Sequence, residues 1–297
     1  MNAMLDSDAA LREIARIDAL AAKAHTACGP AEKMVWRRWG AGPNLVLIHG
    51  GAGSWMHWIR NVEALASTHT VWAPDMPGFG ESGLPDGNLD ADTLYPHVLA
   101  GLLELMKGEA FDLVGFSFGG LVAALIAAER PARLRRLVLV SVAAMGLLSE
   151  NPVLRPMRGV TDPAERKNIV RFNLNALMLY KADAVDELAI AVQGASAARE
   201  RVKNRKLVLT DILLRLCREW QCPAFGIWSN QDLLYRNQIE SLMAVSASLG
   251  LQDRFMIEEA GHWLQYEKSE EFNRILQELL EPDMGDVAAQ AGDVRHG

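Results

Sequence analysis

Residues 111–125, FDLVGFSFGGLVAAL, run from a short apolar segment through a serine turn into an Ala- and Leu-rich helix. The first part is typical of a buried strand, and the last has the apolar spacing of a packed helix face. Ser117 stands at the turn, with Gly115 and Gly119 two residues away on either side. Larger side chains there would collide as the chain reverses. The turn therefore holds the Ser117 hydroxyl out at the end of the sheet, where the Phe118 amide would favour a developing oxyanion.

Composition and charge are those of an ordinary globular protein. The chain has 297 residues, enough to bury a large core, with 50% hydrophobic and 23% charged residues. Its net charge of −7 argues against nucleic acid as the main partner. No apolar run approaches the roughly 20 residues that span a membrane, so we expect no membrane partner.

The first residues and the cysteines bear on the cellular compartment. Residues 1–8 lack a basic region followed by an apolar core, so we expect no secretory signal and a cytoplasmic protein. The chain has only three cysteines, an odd number, at positions Cys28, Cys217 and Cys222, and none are spaced as C-x-x-C. We expect all three to be reduced, with no metal or redox role.

Apolar runs recur on both sides of the serine turn. They predict further strands at 34–39, 44–48, 70–73, 136–141, 223–228 and 254–257. Helical patterns predict helices at 58–65, 94–106, 238–249 and up to residue 280. Strands that alternate with helices indicate an α/β fold, with a mostly parallel sheet covered on both faces.

Three segments fall outside this alternation. Apolar positions at helical spacing from Leu5 to Thr26 predict an N-terminal helix, which packs either on the sheet or on the second subunit of a homodimer. Helical patterns without a clear strand predict a helical cap inserted into the core, and the small, polar C-terminus predicts a flexible tail. The predicted boundaries are 1–30 for the N-terminal helix, 31–144 and 220–281 for the core, 145–219 for the cap and 282–297 for the tail.

The cap segment is basic, whereas the rest of the chain is acidic. Residues 146–221 contain 13 Lys or Arg and 9 Asp or Glu, a charge of +4, which leaves −11 for the remainder. The most basic run is Arg199–Lys206. It is either a solvated helical face or a patch for an acidic substrate or carrier.

A glycine-rich loop, His49-Gly50-Gly51-Ala52-Gly53-Ser54, directly follows the predicted strand at 44–48. Its small residues allow backbone amides to approach a ligand closely. Because it lies after an apolar strand and upstream of the serine turn, we interpret it as the second half of an oxyanion hole, with Gly51 as the amide donor. The alternative is a plain turn. His49 is predicted to brace the loop through hydrogen bonds rather than to act in catalysis.

A serine hydroxyl is a poor nucleophile at neutral pH, so it needs a base, and the base needs an orienting acceptor. His262 lies on a glycine-flanked loop after the last strand, and Asp232 follows the strand before it. Alone, each is compatible with a surface histidine or a helix-capping aspartate. Their chain order with Ser117, each after a strand, favours a catalytic triad. Asp75 competes with Asp232, but it precedes Pro77 in a tight turn and is predicted to be structural.

Four aromatic residues neighbour these motifs, namely Trp55, Phe116, Phe118 and Trp263. Aromatic side chains at a pocket favour a small-molecule substrate with an apolar acyl chain or ring. Trp55, Phe116 and Trp263 are therefore candidate substrate contacts. The equal alternative is that all of these aromatics belong to the core.

Together the motifs resemble the α/β-hydrolase fold family. The matching residues are, in order, His49-Gly50-Gly51, Asp75-x-Pro77-Gly78-x-Gly80-x-Ser82, Gly115-x-Ser117-x-Gly119-Gly120, Asp232 and Gly261-His262. The resemblance covers residues 35–280 apart from the insertion. It implies an eight-stranded, mainly parallel sheet with a helical cap over the site, and a nucleophile elbow at Ser117.

The resemblance also implies roles for individual residues. Ser117 would be the nucleophile, His262 the general base and then acid, and Asp232 the group that orients His262. The amides of Gly51 and Phe118 would bind the oxyanion, and no metal or organic cofactor would be needed. The serine excludes the family branches with an aspartate nucleophile, which include haloalkane dehalogenases and most epoxide hydrolases. The cap segment does not identify a subfamily, which leaves the substrate open.

The sequence thus predicts two-step acyl transfer on a carboxylic ester or a similar carbonyl compound. Similar enzymes hydrolyse carbon–carbon bonds of dienoic ring-fission products or β-diketones, and their sites carry polar groups that promote ketonisation. Such groups cannot be located from the sequence of this cap, so this alternative stays open. A ligand sensor that keeps the fold and turns over slowly, or not at all, is the second alternative.

Overall fold

A central sheet organises the molecule, for which a computed structural model describes residues 6–87, 89–147 and 152–281. The spatial order of its eight strands is β1-β2-β4-β3-β5-β6-β7-β8. The strands are β1 (Ala22–Ala27), β2 (Lys33–Trp39), β3 (Asn44–Ile48), β4 (Thr70–Pro74), β5 (Phe111–Phe116), β6 (Leu134–Val140), β7 (Ala224–Ser229) and β8 (Asp253–Ile257). β2 is antiparallel to β1 and to β4, and the other neighbours are parallel. The predicted eight-stranded, mostly parallel sheet is confirmed.

Helices connect the strands and cover both faces. The α-helices are α1 (Ser7–Ala19), α2 (Val62–Ala66), α3 (Ala91–Met106), α4 (Phe118–Ala128), α5 (Pro163–Asn173), α6 (Glu187–Ala198), α7 (Leu213–Leu216), α8 (Ile239–Ser248), α9 (Leu264–Glu267) and α10 (Ser269–Leu280). Short 3₁₀ segments span Trp55–Trp58, Ala182–Ala184, Leu207–Leu209 and Cys217–Glu219, and a π-helical turn, Leu174–Met178, extends α5. The predicted tail, 282–297, lies outside the described residues.

The central strands are buried on both faces, as the near-continuous apolar runs indicate. In β3, Leu45 and Leu47 face one apolar layer, and Val46 and Ile48 face the other. Alternate side chains of one strand therefore contribute to two separate cores, one on each side of the sheet.

The prediction of one helix from Leu5 to Thr26 is wrong in its second half. The helix α1 ends at Ala19, and Ala22–Ala27 forms β1, which pairs antiparallel with β2. Within β1 only Thr26 is buried, so this edge strand has no apolar alternation to distinguish it. Its conformation comes from pairing with β2, which the local sequence does not encode.

The cap segment between β6 and β7 is helical over much of its length, but the basic run Arg199–Lys206 is not a helical face. The helix α6 ends at Ala198, and the chain then continues without regular structure to Lys206. Val202 is buried, and the amide of Arg201 donates to the carbonyl of Gly78 at 2.9 Å. Contacts with the core, rather than solvent, thus determine the conformation of this run.

The order of the strands predicts a ligand site at the carboxyl ends of β3 and β5. β3 lies between β4 and β5, so the chain passes from β3 to β4 on one side and then crosses back to β5 on the other side. Ligand sites of open α/β sheets collect beyond the carboxyl ends of the strands at such a switch point. The Gly-rich loop follows β3 and the serine turn follows β5, directly at this position.

Candidate active site

The serine turn has a strained backbone that its glycines make possible. Ser117 has φ 52° and ψ −116°, a conformation that non-glycine residues rarely adopt. A Cβ atom added to Gly119 would collide with the carbonyl oxygen of His49, and one added to Gly115 would collide with the carbonyl oxygen of Gly119. The predicted need for small residues on both sides of Ser117 is confirmed.

Three side chains from the loops after β5, β7 and β8 form one hydrogen-bonded chain. Asp232 Oδ2 lies 2.8 Å from His262 Nδ1, and His262 Nε2 lies 2.8 Å from Ser117 Oγ. Since a carboxylate only accepts, Nδ1 carries the proton, and Nε2 is left to accept from the Ser117 hydroxyl. The fully buried Asp232 also accepts from the Leu234 amide at 3.0 Å, which orients its carboxylate.

Other contacts connect the end of β7 and the loop after it to the loops after β8 and β6. The Ser229 hydroxyl donates to the Gly261 carbonyl at 2.6 Å, one residue before His262. The Tyr235 hydroxyl donates to the Val142 carbonyl at 2.7 Å. Burial raises the pKa of Tyr235 well above its usual range, so it remains a neutral donor.

Two backbone amides next to Ser117 are free to donate. Gly51 and Phe118 both line the cavity that Ser117 faces. Neither amide donates a hydrogen bond to another residue of the described ranges. The two sequence-predicted oxyanion donors thus border the same cavity as Ser117.

Two buried histidines support the Gly-rich loop. His49 Nδ1 lies 2.8 Å from the Gly50 carbonyl, and its Nε2 accepts from the Met76 amide at 3.0 Å. His57, which the sequence analysis did not single out, accepts from the Gly50 amide at 3.2 Å through Nδ1. Burial lowers the pKa of both, to about 3 for His57, so both are neutral and can accept.

Asp75, the competing acid, lies away from this arrangement. Its carboxylate accepts from the amides of Trp55 and Glu81, both at 2.9 Å, and pairs with Arg37 at 3.2 Å. These contacts stabilise the turn after β4 and do not involve His262.

A cavity of about 560 Å³ lies between the serine turn and the cap. Its lining is mainly apolar, and the polar side chains that the cap contributes are Asn173, Gln193, Glu200 and Arg205. The described residues that line it are Gly51, Ala52, Phe116, Ser117, Phe118, Ala143, Pro152, Leu154, Met157, Val170, Asn173, Leu174, Leu177, Met178, Gln193, Ala197, Glu200, Arg205, Val208, Leu209, Leu234 and His262.

Of the candidate substrate contacts, Phe116 lines this cavity, whereas Trp55 and Trp263 do not. Trp55 is buried against Trp39, with ring centroids 5.3 Å apart. Trp263 stacks on Tyr266 at 4.2 Å and donates through Nε1 to the His57 carbonyl at 2.9 Å. Both tryptophans are core residues here, which is the alternative that the sequence left open.

The polar side chains of the cap that reach the cavity follow no pattern that the sequence would reveal. Glu200 and Arg205 lie inside the basic run and form an ion pair with each other. Their separation by five residues matches no helical pattern, because the run is not helical. Gln193 is one of few polar residues on the mainly apolar helix α6, and no sequence signal indicates that it faces the site.

The described residues contain neither a metal-binding cluster nor a membrane-spanning helix. Within residues 6–87, 89–147 and 152–281, no group of three or more His, Cys, Asp or Glu side chains is arranged to hold a metal ion. Across the same ranges, no helix combines the length and hydrophobicity needed to span a membrane.

Known proteins resemble this chain over most of its length. The 2-hydroxymuconate semialdehyde hydrolase of Pseudomonas sp. strain CF600 is 28% identical over 261 residues, which cover 81% of this chain and 88% of that protein. The 2-hydroxy-6-oxononadienedioate/2-hydroxy-6-oxononatrienedioate hydrolase of Paraburkholderia phymatum is 29% identical over 258 residues, with coverage of 81% and 88%. Among solved structures, bromoperoxidase from Bacillus anthracis matches with a TM-score of 0.71 at 21% identity, covering 88% of this chain and 100% of that one.

The structural likeness, at such low identity, concerns the fold alone. The sequence pattern of the alpha/beta hydrolase family matches residues 45–275, which contain the Gly-rich loop, the serine turn, Asp232 and His262. The chain therefore belongs to the alpha/beta hydrolase family.

Proposed function

We propose that this protein is a serine hydrolase that cleaves an apolar carboxylic ester, or a similar carbonyl compound, through an acyl-enzyme on Ser117. The observation that carries the proposal is the hydrogen-bonded chain from Asp232 through His262 to Ser117, which opens into a mainly apolar cavity. A nucleophile, a base and an orienting acid in this order are what acyl transfer requires.

The reaction begins when His262 Nε2 takes the Ser117 proton as Oγ attacks the carbonyl carbon. The carbonyl oxygen becomes an oxyanion, to which the Gly51 and Phe118 amides donate. His262 then gives its proton to the leaving alcohol, the ester bond breaks, and acyl-Ser117 remains. In the second step His262 deprotonates a water molecule that attacks the acyl group, releases the acid and regenerates Ser117. Asp232 keeps the proton on Nδ1 throughout, which holds His262 in the reactive tautomer.

The charges in the cavity support a substrate whose bound portion is neutral. Among the described lining residues, Glu200 and Arg205 are the only Asp, Glu, Lys or Arg side chains, and they pair with each other. An acidic substrate would have to draw Arg205 away from Glu200. Apolar acyl groups instead gain from contact with the surrounding leucine, methionine and phenylalanine side chains.

The proposal is tested by hydrolysis of p-nitrophenyl acetate, butyrate and octanoate with wild type, Ser117→Ala and Ser246→Ala. Ser246 is a matched control, because it is buried on α8 and its hydroxyl donates to the Met243 carbonyl. We expect Ser117→Ala to lower kcat by about 10³-fold or more and Ser246→Ala to leave it unchanged. Equal turnover by wild type and Ser117→Ala would remove Ser117 from the mechanism.

Carbon–carbon bond hydrolysis is the second candidate, and the names of the relatives favour it. Two relatives at 28% and 29% identity are named as hydrolases of 2-hydroxymuconate semialdehyde and of 2-hydroxy-6-oxononadienedioate. The same triad could attack the aldehyde or ketone carbonyl of such a compound, with the adjacent carbon–carbon bond breaking and the departing carbon taking up a proton. Arg205 could bind the substrate carboxylate if it left Glu200. A higher kcat/KM for 2-hydroxymuconate semialdehyde than for the best ester would make this the function. A folded protein inactive on both classes would contradict both candidates and favour ligand sensing.

A further inference from the structure

The loop that carries His262 is bonded to the core on one side of the histidine. We call residues 258–263, which lie between β8 and α9, the base loop. The Gly261 carbonyl accepts from the Ser229 hydroxyl, at the end of β7, at 2.6 Å. This carbonyl belongs to the peptide that joins Gly261 to His262, so the core fixes the peptide that precedes the histidine.

The peptide that follows His262 is bonded to the cap instead. The Trp263 amide, which belongs to the His262–Trp263 peptide, donates to the Met178 carbonyl at 2.7 Å. Met178 is the last residue of the π-helical turn. The carbonyls at the end of a helix have no partner within it, and they need a donor from elsewhere. The cap therefore offers an acceptor directly to the backbone of the proposed catalytic base.

Glu267, on α9, bonds the same two segments to each other. Its Oε2 accepts from the Gly261 amide at 2.8 Å and from the Tyr180 amide at 3.0 Å, and its Oε1 accepts from the Lys181 amide at 2.7 Å. Hydrogen bonds to an ionised acceptor are stronger than neutral ones. Removal of this carboxylate would leave one amide of the base loop and two amides of the cap without their acceptor.

The backbone of the cap lies directly against the base loop. A Cβ atom added to Gly261 would be 2.7 Å from the Tyr180 amide nitrogen and 2.8 Å from the Met178 carbonyl oxygen. Glycine at position 261 thus permits the close approach of the two segments. His262 Nε2 lies 2.8 Å from Ser117 Oγ. A shift of the base loop by about 1 Å away from Ser117 would therefore break that hydrogen bond.

We propose that Glu267 is a positioning residue, which keeps His262 within reach of Ser117 by bonding the base loop to cap residues 178–181. This inference rests on the proposed serine hydrolase function. Glu267 does not line the cavity that Ser117 faces, so it acts through the backbone on either side of the base rather than on the substrate. Cap residues 178–181 therefore act together with the core in catalysis.

The test compares Glu267→Ala and Glu267→Gln with the control Glu259→Gln. Glu259 lies in the base loop, and its carboxylate pairs with Lys181 Nζ at 2.7 Å, so its replacement also removes a contact between the base loop and the cap. The Glu259 side chain is 62% exposed. Because exposed ion pairs contribute little, Glu259→Gln should match wild type.

Two reactions of Ser117 are measured. The first is turnover of the best p-nitrophenyl ester, which gives kcat and KM. The second is inactivation by a fluorophosphonate, in which Ser117 Oγ bonds to phosphorus, His262 takes the hydroxyl proton, and the P–F bond breaks to release fluoride. This reaction needs the base but no particular acyl group. Its concentration dependence separates the reagent affinity from the labelling rate constant, and intact mass spectrometry gives the labelled fraction.

We expect Glu267→Ala to lower both kcat and the labelling rate constant by about 10²-fold, because a misplacement of about 1 Å has effects of this size. KM and the reagent affinity should change little, and every molecule should still become labelled. Glu267→Gln has the same shape but keeps only one acceptor oxygen, so its rates should lie between those of Glu267→Ala and wild type.

Other outcomes would contradict a specific statement. If neither reaction occurs in wild type, the proposed function is wrong, and the positioning role with it. If wild type is labelled at Ser117 but hydrolyses no ester, ester hydrolysis is wrong, and the labelling rate constants decide the role of Glu267.

The positioning role itself is wrong if both Glu267 variants react at the wild-type rate. It is also wrong if only a fraction of the molecules becomes labelled and does so at the wild-type rate, since that result means that Glu267 merely stabilises the fold. Should Glu267→Ala fail to fold, Glu267→Gln decides by the same measurements.

Discussion

The serine turn and the cap face the same cavity but are stabilised by different interactions. Every residue of β5 is buried, as is α4 from Phe118 to Ala127. Apolar side chains of α6, such as Leu188 and Val192, belong to the same buried cluster as residues of the core. The cap adds polar bonds to the core, such as Ser196 Oγ to Ser54 Oγ at 2.9 Å and the amide of Lys206 to Asp90 Oδ2 at 2.7 Å. Close packing permits one geometry, whereas a net hydrogen bond contributes only about 1 kcal/mol. We therefore expect the chemistry to depend on the serine turn and the choice of substrate to depend on the cap.

Replacing Asp232 should have the largest effect on turnover, because Asp232 orients the proposed base. In Asp232→Asn an amide replaces the carboxylate, so the tautomer with the proton on Nδ1 is no longer favoured and Nε2 cannot accept from Ser117. We expect kcat to fall by about 10⁴-fold with little change in KM. The measurement is ester turnover at neutral pH, with secondary structure checked by circular dichroism.

Asp112→Asn is the control for this variant. Asp112 is also buried, but it lies at the start of β5 and pairs with Arg135 and Arg136. Its replacement should change stability and leave kcat as it is. If Asp232→Asn instead leaves kcat unchanged, another acid orients His262, and the hydrogen-bonded chain from Asp232 to Ser117 is not the catalytic arrangement.

The same contrast explains what the sequence could predict. The serine turn is determined by local sterics. A side chain at Gly115 or Gly119, two residues from Ser117, would collide with the backbone, so the pattern is visible in a short stretch of sequence. Asp232 and His262 could be predicted because parallel strands bring their carboxyl ends to one edge, so position after a strand implies proximity. These patterns depend on neighbours in sequence or on simple topology.

Other features depend on tertiary contacts that the local sequence pattern does not reveal, and these were missed. Strand β1 exists because β2 offers it a backbone to pair with, although its own side chains are mostly exposed. Glu200 reaches Ala52 across 148 residues, and only the docked position of the cap brings them together. Trp263 follows the predicted base directly, yet its indole turns to His57 and Tyr266 rather than to the cavity. Sequence distance alone does not indicate the direction of a side chain on a loop.

Acid should weaken the core before it affects the cap directly, since none of the seven histidines lies between residues 145 and 219. Burial lowers the pKa of His49 and of His57, the latter to about 3 from 6.5. Below pH 6.5 the unfolded chain takes up protons that the folded core excludes. The stabilisation is therefore complete above pH 6.5 and is lost as the pH falls toward 3. For His57 alone the loss is about 2 kcal/mol between pH 7 and 5.

Urea unfolding at pH 7 and pH 5 checks this prediction. His57→Gln can still accept from the Gly50 amide but takes no proton, so its free energy of unfolding should fall less on acidification than that of wild type. His25→Gln changes an exposed histidine in β1 and should keep the wild-type difference. An equal loss in wild type and His57→Gln would mean that His57 is not excluded from protonation in the folded protein.

The proposed role of the cap in substrate choice predicts a smaller effect, on the preference for acyl chain length. Leu154 and Leu209 line the cavity while remaining 45% and 61% exposed, so they form its rim. A long acyl chain reaches this rim, whereas an acetyl group stays near Ser117. Leu154→Ala should lower kcat/KM for p-nitrophenyl octanoate about fourfold, the equivalent of one methylene group removed from apolar contact. The value for the acetate should not change.

Leu103→Ala is the matched control, because Leu103 is a comparably exposed leucine, at 50%, that lies on α3 outside the cavity lining. It should leave both esters unaffected. If Leu154→Ala lowers the rates for acetate and octanoate equally, the rim acts on the chemistry rather than on chain length. That result would contradict the division of roles between core and cap. A cap residue that contacts no reacting atom would then be affecting both substrates alike.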